Sequence, residues 1–128
     1  MQLKILDSTF SVVKLSSAGP IPLWAASGRP FSVTRTNDEL SIVVPSESVP
    51  AHEGFGNIEN DFKCVKVEAS VLDFSLTGIL ASLAAPLAEA KISIFVNATC
   101  NTGYLFIKSH SIDKARAVLE QAGHTFIH

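Results

Sequence analysis

The residues best suited to bind a ligand lie where a predicted strand runs into a predicted helix. This segment, Asp73–Ile79, contains Asp73, Ser75 and Thr77 and a glycine at position 78. The free amides at a helix N-terminus bind carboxylates, and small residues would let an anionic ligand approach closely. The same residues also suit a capped helix that binds nothing, because Asp and Ser are common N-caps. The pattern therefore allows either a small-molecule site or a purely structural helix start.

A second polar cluster ends the next predicted strand. It contains Asn97, Thr99, Cys100, Asn101 and Thr102. In a strand–helix–strand–strand unit the loop that holds this cluster and the loop before the helix can lie at the same end of the sheet. Together the two clusters could form a pocket for a small molecule.

Catalysis is not supported by the residues present. Acid–base and nucleophilic mechanisms need polar groups that converge, with a base beside the nucleophile. No Lys, Arg or His stands within seven residues of Cys100, so nothing nearby in the chain favours its thiolate. The four histidines lack metal-ligand spacing such as H-E-x-x-H. We expect no enzymatic activity, no catalytic residue, no metal and no cofactor.

Hydrophobic periodicity predicts the helix that would position the first cluster. Apolar residues recur at spacings of three and four from Leu76 to Leu87 and predict one apolar helix face. Pro86 lacks an amide donor, so we expect it to bend or locally break this helix near Ser82.

The second half of the chain shows the order strand, helix, strand, strand, helix, strand. The expected bounds are a strand at Phe62–Ala69, the helix from Leu76, strands at Ile92–Asn97 and Tyr104–Lys108, a helix at Ile112–Ala122 capped by Ser111, and a strand at His124–Ile127. This βαββαβ order is that of the ferredoxin-like sandwich, an antiparallel sheet covered by helices on one face.

The first third predicts a shorter version of the same order. It comprises strands at Leu3–Leu6 and Phe10–Leu15, a short helix at Leu23–Ser27 and a hairpin of Phe31–Thr36 with Leu40–Val44. Residues 45–61 are rich in Pro, Gly and Glu and form the best candidate linker. We therefore predict an α+β protein of two related modules, residues 1–61 and 62–128.

The composition of the chain indicates which classes of partner the protein lacks and in which cellular compartment it lies. The net charge of −2 gives no electrostatic footprint for nucleic acid or an anionic membrane. No apolar stretch reaches the roughly 20 residues that span a bilayer, and the N-terminus lacks signal-peptide character. Cys64 and Cys100 are too few for a disulfide framework, which favours reduced thiols. We expect a cytoplasmic protein with no nucleic-acid or membrane partner.

Charge is scarce, at 17% of residues against roughly 25% in globular proteins. Between Phe74 and Ile107 only Glu89 and Lys91 are charged. Large exposed apolar patches usually mark contacts. We therefore expect this part of the chain to be buried in subunit or module pairing.

The second half also resembles a known family. Residues 72–90, LDFSLTGILASLAAPLAEA, running into Ile92–Phe95, resemble the second module of small tandem ACT-domain proteins, which are related to aspartate kinase regulatory domains and cytosolic arginine sensors. Phe31–Thr36 and Glu39–Val43 resemble their first module. The resemblance implies two ferredoxin-like modules of the ACT type, amino-acid binding at module interfaces, pairing of sheets side by side and no catalysis.

The resemblance also implies a ligand site between the two polar clusters. Its residues are Asp73, Phe74, Ser75, Thr77, Gly78, Ile79, Asn97, Thr99, Cys100, Asn101 and Thr102. Amides near Thr77–Ile79 would hold the ligand carboxylate, and groups around Thr99–Thr102 would hold its amino group. Relatives usually have an acidic residue where this chain has Gly103.

Two functions follow as hypotheses. The leading one is a non-enzymatic regulatory or sensor protein that binds an amino acid or a similar small metabolite at a module or subunit interface, assembled as a homodimer. The alternative is an oligomerisation or protein-interaction scaffold with a degenerate pocket. Gly103 favours the alternative, because it provides no carboxylate to pair with a ligand ammonium group.

Overall fold

The computed structural model describes residues 1–50, 57–68, 76–99 and 102–127. The strands are β1 Gln2–Leu15, β2 Ser32–Arg35, β3 Leu40–Pro45, β4 Ile58–Glu68, β5 Ile94–Ala98, β6 Gly103–Lys108 and β7 Thr125–Ile127, and the helices are α1 Leu76–Glu89 and α2 Ile112–Gln121. The chain divides into two compact units, Ser8–Phe62 and a discontinuous unit of Met1–Asp7 with Lys63–His128. The predicted α+β class is confirmed.

In the Ser8–Phe62 unit, β3 lies between β2 and the second part of β1. Both pairings are antiparallel, and the predicted hairpin is confirmed. Its turn is held by Thr36, whose Oγ1 accepts hydrogen bonds of 3.1 Å from the amides of Asp38 and Glu39. Val13, Ala25, Leu40, Ile42 and Val44 form the buried core.

Two local expectations in the first third of the chain differ in detail from the structure. Leu3–Leu6 and Phe10–Leu15 belong to one continuous strand, β1, because the intervening Asp, Ser and Thr include no Gly or Pro to interrupt pairing. The short helix is a single 3₁₀ turn, Leu23–Ala26. Pro22 precedes it and Gly28 follows it with φ +81°, which leaves too few residues for an α-helix.

The discontinuous unit contains the ends of the sequence and both α-helices. Its strands lie in the order β1-β4-β6-β5, and β7 pairs in parallel with the start of β1. Leu3 of β1 is fully buried in this unit's core. The first seven residues therefore fold with the second half of the chain, and β7 extends the sheet by pairing with the start of β1.

Apolar side chains from both helices form the core of this unit. Ile79, Leu83 and Leu87 of α1 and Ala115 and Leu119 of α2 are buried there. The three α1 residues follow the predicted spacing, so the apolar face of the helix is confirmed. Burial of each large aliphatic side chain stabilises the fold by about 1.5–3 kcal/mol.

Pro86 does not break α1, which continues to Glu89. A proline at this position cannot donate to the carbonyl four residues earlier, that of Ser82. The structure supplies another donor: Nε2 of His124 lies 3.1 Å from the Ser82 oxygen. The expected local break near Ser82 is therefore wrong, because a distant side chain replaces the missing amide.

The predicted cap at the start of α2 is absent, whereas the predicted stop at its end is confirmed. The hydroxyl of Ser111 makes no capping hydrogen bond and lies 3.1 Å from Nδ1 of His110 instead. Gly123 adopts φ +98°, and the amides of Gly123 and His124 donate to the oxygens of Glu120 and Leu119. This Schellman arrangement ends the helix.

None of the helices in the described ranges is long and apolar enough to cross a bilayer.

Candidate functional site

The structure describes one part of the predicted ligand site. Gly78, Ile79, Asn97, Thr99 and Thr102 lie in the described ranges, as does the backbone of Thr77. Asp73, Phe74, Ser75, Cys100 and Asn101 lie outside the described residues. The proximity of the two clusters to each other therefore stays a prediction.

The start of α1 has backbone amides that lack an acceptor within the helix. The helix begins at Leu76, and the first four amides of any α-helix have no acceptor within it. No acidic side chain lies in the first turn. Gly78 is exposed, and a Cβ built on it would meet no atom within 4 Å. The partial positive charge of this helix end is thus not neutralised by a carboxylate of the first turn itself.

Ile79 takes part in this helix start through its backbone alone. Its side chain is only 3% exposed and belongs to the core formed with Leu83 and Leu87. The core contact fixes the rotation of the helix about its axis. As a result Gly78 lies on the solvent side.

The turn between β5 and β6 is closed by two threonines. The amide of Thr99 donates to the oxygen of Thr102 at 2.8 Å. The two hydroxyl oxygens are 2.7 Å apart, and the amide of Thr102 donates to Oγ1 of Thr99 at 3.1 Å. Both hydroxyls therefore already serve the turn, which limits what their side chains can offer a ligand.

Asn97 is a further polar residue beside this turn. It lies on β5 opposite Tyr104 and is half-buried. Its side-chain amide has no hydrogen-bond partner among the described residues. A half-buried amide without a partner can donate to and accept from a ligand.

Cys64 is the thiol that the structure describes, and it is unsuited to nucleophilic chemistry. Burial raises the pKa of the Cys64 thiol to about 12. The thiol is therefore protonated at neutral pH, and only the thiolate is nucleophilic. Within the described ranges no group of three His, Cys, Asp or Glu residues is arranged to hold a metal.

One cavity lies away from the predicted site, and the sequence interpretation missed it. Its volume is about 420 Å³, and it is lined by Lys4, Ile5, Asp7, Arg116, Phe126 and Ile127. These residues come from β1, α2 and β7, all in the discontinuous unit. No sequence motif could reveal the cavity, because the pairing of β1 with β7 brings distant segments together.

Solved structures show the same fold. A protein of Agrobacterium tumefaciens is 34% identical over 98% of this chain and 91% of its own, with a TM-score of 0.89. A Vibrio cholerae protein of unknown function, described as a possible transport protein, is 18% identical over 94% and 88% of the two chains, with a TM-score of 0.70. The regulatory subunit of aspartate kinase from Thermus flavus is 14% identical over 94% and 95%, with a TM-score of 0.64.

Comparison with family models identifies the chain. No curated protein matches it. One family model, described as an N-terminal domain, matches residues 8–52. The ACT-domain model matches residues 57–121, which is just over half of the sequence and covers β4 to α2. The chain belongs to the ACT-domain family, and its structure is similar to the regulatory domains of aspartate kinases.

Proposed function

We propose that this protein is a non-enzymatic regulatory module that binds an amino acid or a similar small metabolite. Membership of the ACT-domain family supports a regulatory, small-molecule-binding role. The observation that carries the proposal is the open start of α1 at Gly78, which has no acidic residue in its first turn. Backbone amides there would donate hydrogen bonds to a ligand carboxylate.

The amino group of the ligand would lie toward the turn between β5 and β6. The two threonine hydroxyls are engaged with each other, so backbone carbonyls of the turn and the side chain of Asn97 would accept its hydrogen bonds. Asp73, Phe74, Ser75, Cys100 and Asn101 complete the proposed site. The proposal adds that residues 1–61 and 62–128 derive from two tandem ACT-type modules and that the protein is cytoplasmic.

The proposed assembly is a homodimer that contacts through α1. The exposed side of this helix carries the small uncharged residues Gly78, Ala81, Ser82, Ala85 and Ala88, and Glu89 lies at its C-terminal end. Before Glu89 is reached, such a surface allows close approach of a second copy without desolvating charge. An Ala85→Glu variant should therefore be monomeric in light scattering, whereas a wild-type monomer at the same concentration would contradict this part of the proposal.

Ligand binding is tested by thermal shift with each common amino acid and its 2-oxo acid. A ligand at 100 times its Kd should raise the stability by about 2.7 kcal/mol. Gly78→Glu should abolish the ligand-induced NMR shift of the Ile79 amide at the start of α1, because its carboxylate would occupy and neutralise the helix start. Ala117→Glu, an equivalent change on the exposed side of α2, should leave it unchanged. No shift with any of these compounds would contradict the proposal.

The scaffold alternative has one observation in its favour. Gly103, the buried first residue of β6, supplies no carboxylate to the amino-group side of the site. If wild type binds no amino acid and Gly103→Asp gains binding, the protein is a scaffold with a degenerate pocket.

A further inference from the structure

The cavity between β1, α2 and β7 has the charge and shape of a second binding site. It is separate from the start of α1, since none of its lining residues belongs to that helix. Two cations, Lys4 and Arg116, and one carboxylate, Asp7, line it beside the apolar residues Ile5, Phe126 and Ile127. The lining therefore carries one net positive charge at neutral pH.

Arg116 lies over an aromatic ring at this cavity. Its guanidinium carbon lies 5.2 Å from the centroid of the Phe126 ring, a cation–π distance. Its Nε lies 3.6 Å from Oε1 of Glu120, which is longer than a hydrogen bond. The pair is also well exposed and hence weak. Within the described ranges no acceptor lies on the Nη atoms of the guanidinium, which can therefore bind an acceptor from solution.

The other two charged groups are also available. Neither Nζ of Lys4 nor the carboxylate of Asp7 has a hydrogen-bond or ion-pair partner among the described residues. Unpaired charges of both signs around one cavity suit a ligand that carries a carboxylate, with or without an amino group.

We propose that this cavity binds a small monocarboxylic acid with an apolar body. The carboxylate would lie on Arg116 and Lys4, and the apolar body would pack on Ile5 and Phe126. A cavity of about 420 Å³ holds roughly 14 waters at about 30 Å³ each, which is enough for an amino acid or a 2-oxo acid. Asp7 favours the amino acid of such a pair, because it can accept from the ammonium group.

The test is a titration of ¹⁵N-labelled full-length protein followed by NMR. The probes are leucine, 4-methyl-2-oxopentanoate, which lacks the amine, and leucinamide, which lacks the carboxylate. The first two should shift the Arg116 Nε–H and the amides of Ile5 and Phe126. Leucinamide should bind at least tenfold more weakly. Tighter binding of leucine than of the 2-oxo acid supports the assignment of Asp7, and the reverse order overturns that assignment.

Variants separate this site from the one at α1. Arg116→Gln should weaken binding at least tenfold, whereas Arg29→Gln, an exposed arginine of the other unit, should not change it. Lys4→Gln should also weaken binding at least tenfold, and it leaves α2 unaltered. Gly78→Glu should leave these shifts intact even if it abolishes binding at α1. Equal affinity of wild type, Arg116→Gln and Lys4→Gln, or shifts confined to Gly78 and Ile79, would overturn the proposal.

Discussion

Nε2 of His124 donates a hydrogen bond to the carbonyl oxygen of Ser82 at 3.1 Å. A carbonyl oxygen only accepts, so Nε2 carries the hydrogen of this bond. Nδ1 lies 3.3 Å from the amino group of Met1. His124 is only 9% exposed, and it connects the interior of α1 to the segment before β7. The interaction exists because Pro86 leaves the Ser82 carbonyl without its helical donor.

This relationship predicts a coupled pair of substitutions. His124→Phe should lower the free energy of unfolding by about 1–3 kcal/mol, because the Ser82 carbonyl loses its donor. In a Pro86→Ala background the helix supplies an amide, so the same change should cost at least about 0.5 kcal/mol less. Urea denaturation of the four proteins measures the coupling, with exposed His110→Phe as the control. Additive effects would show that His124 does not replace the proline's missing donor.

Alanine substitutions of Gly78, at the start of α1, and of Gly123, just after α2, should have opposite effects on stability. Gly78 lies in α1 with open space around it, so Gly78→Ala should stabilise the protein by about 0.5–1 kcal/mol. Gly123 has φ +98°, so Gly123→Ala should destabilise it by about 1 kcal/mol. Thermal unfolding measures both. If the ligand approaches Gly78 closely, the alanine there should also weaken binding despite the higher stability.

Cys64 makes stability depend on pH in the alkaline range. Burial raises the pKa of its thiol from 9.0 to about 12, so the folded state holds the proton more tightly than the unfolded state. The stabilisation is complete below pH 9 and is lost as the pH rises toward 12. Relative to Cys64→Ala, wild type should lose about 1.4 kcal/mol between pH 7.5 and pH 10. Parallel curves for the two proteins would contradict this.

The same burial predicts slow chemical modification. In a Cys100→Ser background only Cys64 remains, and it should react with a thiol reagent only after unfolding in urea. Rapid labelling of the folded protein at pH 8 would show that Cys64 is accessible and that its thiolate forms readily.

Arg35 stabilises the loop that follows β1 through two hydrogen bonds to its backbone. Its Nη2 donates to the oxygen of Gly19 at 2.7 Å, and its Nη1 donates to the oxygen of Ser17. A lysine cannot make this forked pair of hydrogen bonds. Arg35→Lys should therefore destabilise the protein by about 0.5–1.5 kcal/mol and speed amide exchange in the loop from Ser16 to Gly19. Exchange rates unchanged from wild type would count against a role for the fork.

Local patterns in the sequence predicted the helices and strands better than they predicted which segments pack against each other. The periodicity of α1 reflects burial on one face, and the polar residues between β2 and β3 are typical of a hairpin turn; the helix and the hairpin both formed as expected. The pairing of β1 with β7 and the rescue of Pro86 by His124 each join segments that are far apart in the chain. Short-range spacing carries no information on such contacts, and for the same reason the cavity at Arg116 was missed.

The sequence predicted the part of the candidate site that lies at the start of α1. The exposed Gly78 and the buried Ile79 follow from the apolar spacing. The closed pair of Thr99 and Thr102 does not, because a hydroxyl can serve its own turn or a ligand equally well on composition alone.

The parallel pairing of Gln2–Lys4 with Thr125–Ile127 has a consequence for the order of folding during synthesis. The Ser8–Phe62 unit is one continuous stretch of sequence, so it can form as soon as Phe62 has left the ribosome. Met1–Asp7 precedes this unit in the chain, yet its β7 neighbour is translated more than a hundred codons later. Gln2–Lys4 must therefore wait for β7 before all its native neighbours are present, and long sequence separation of this kind slows folding.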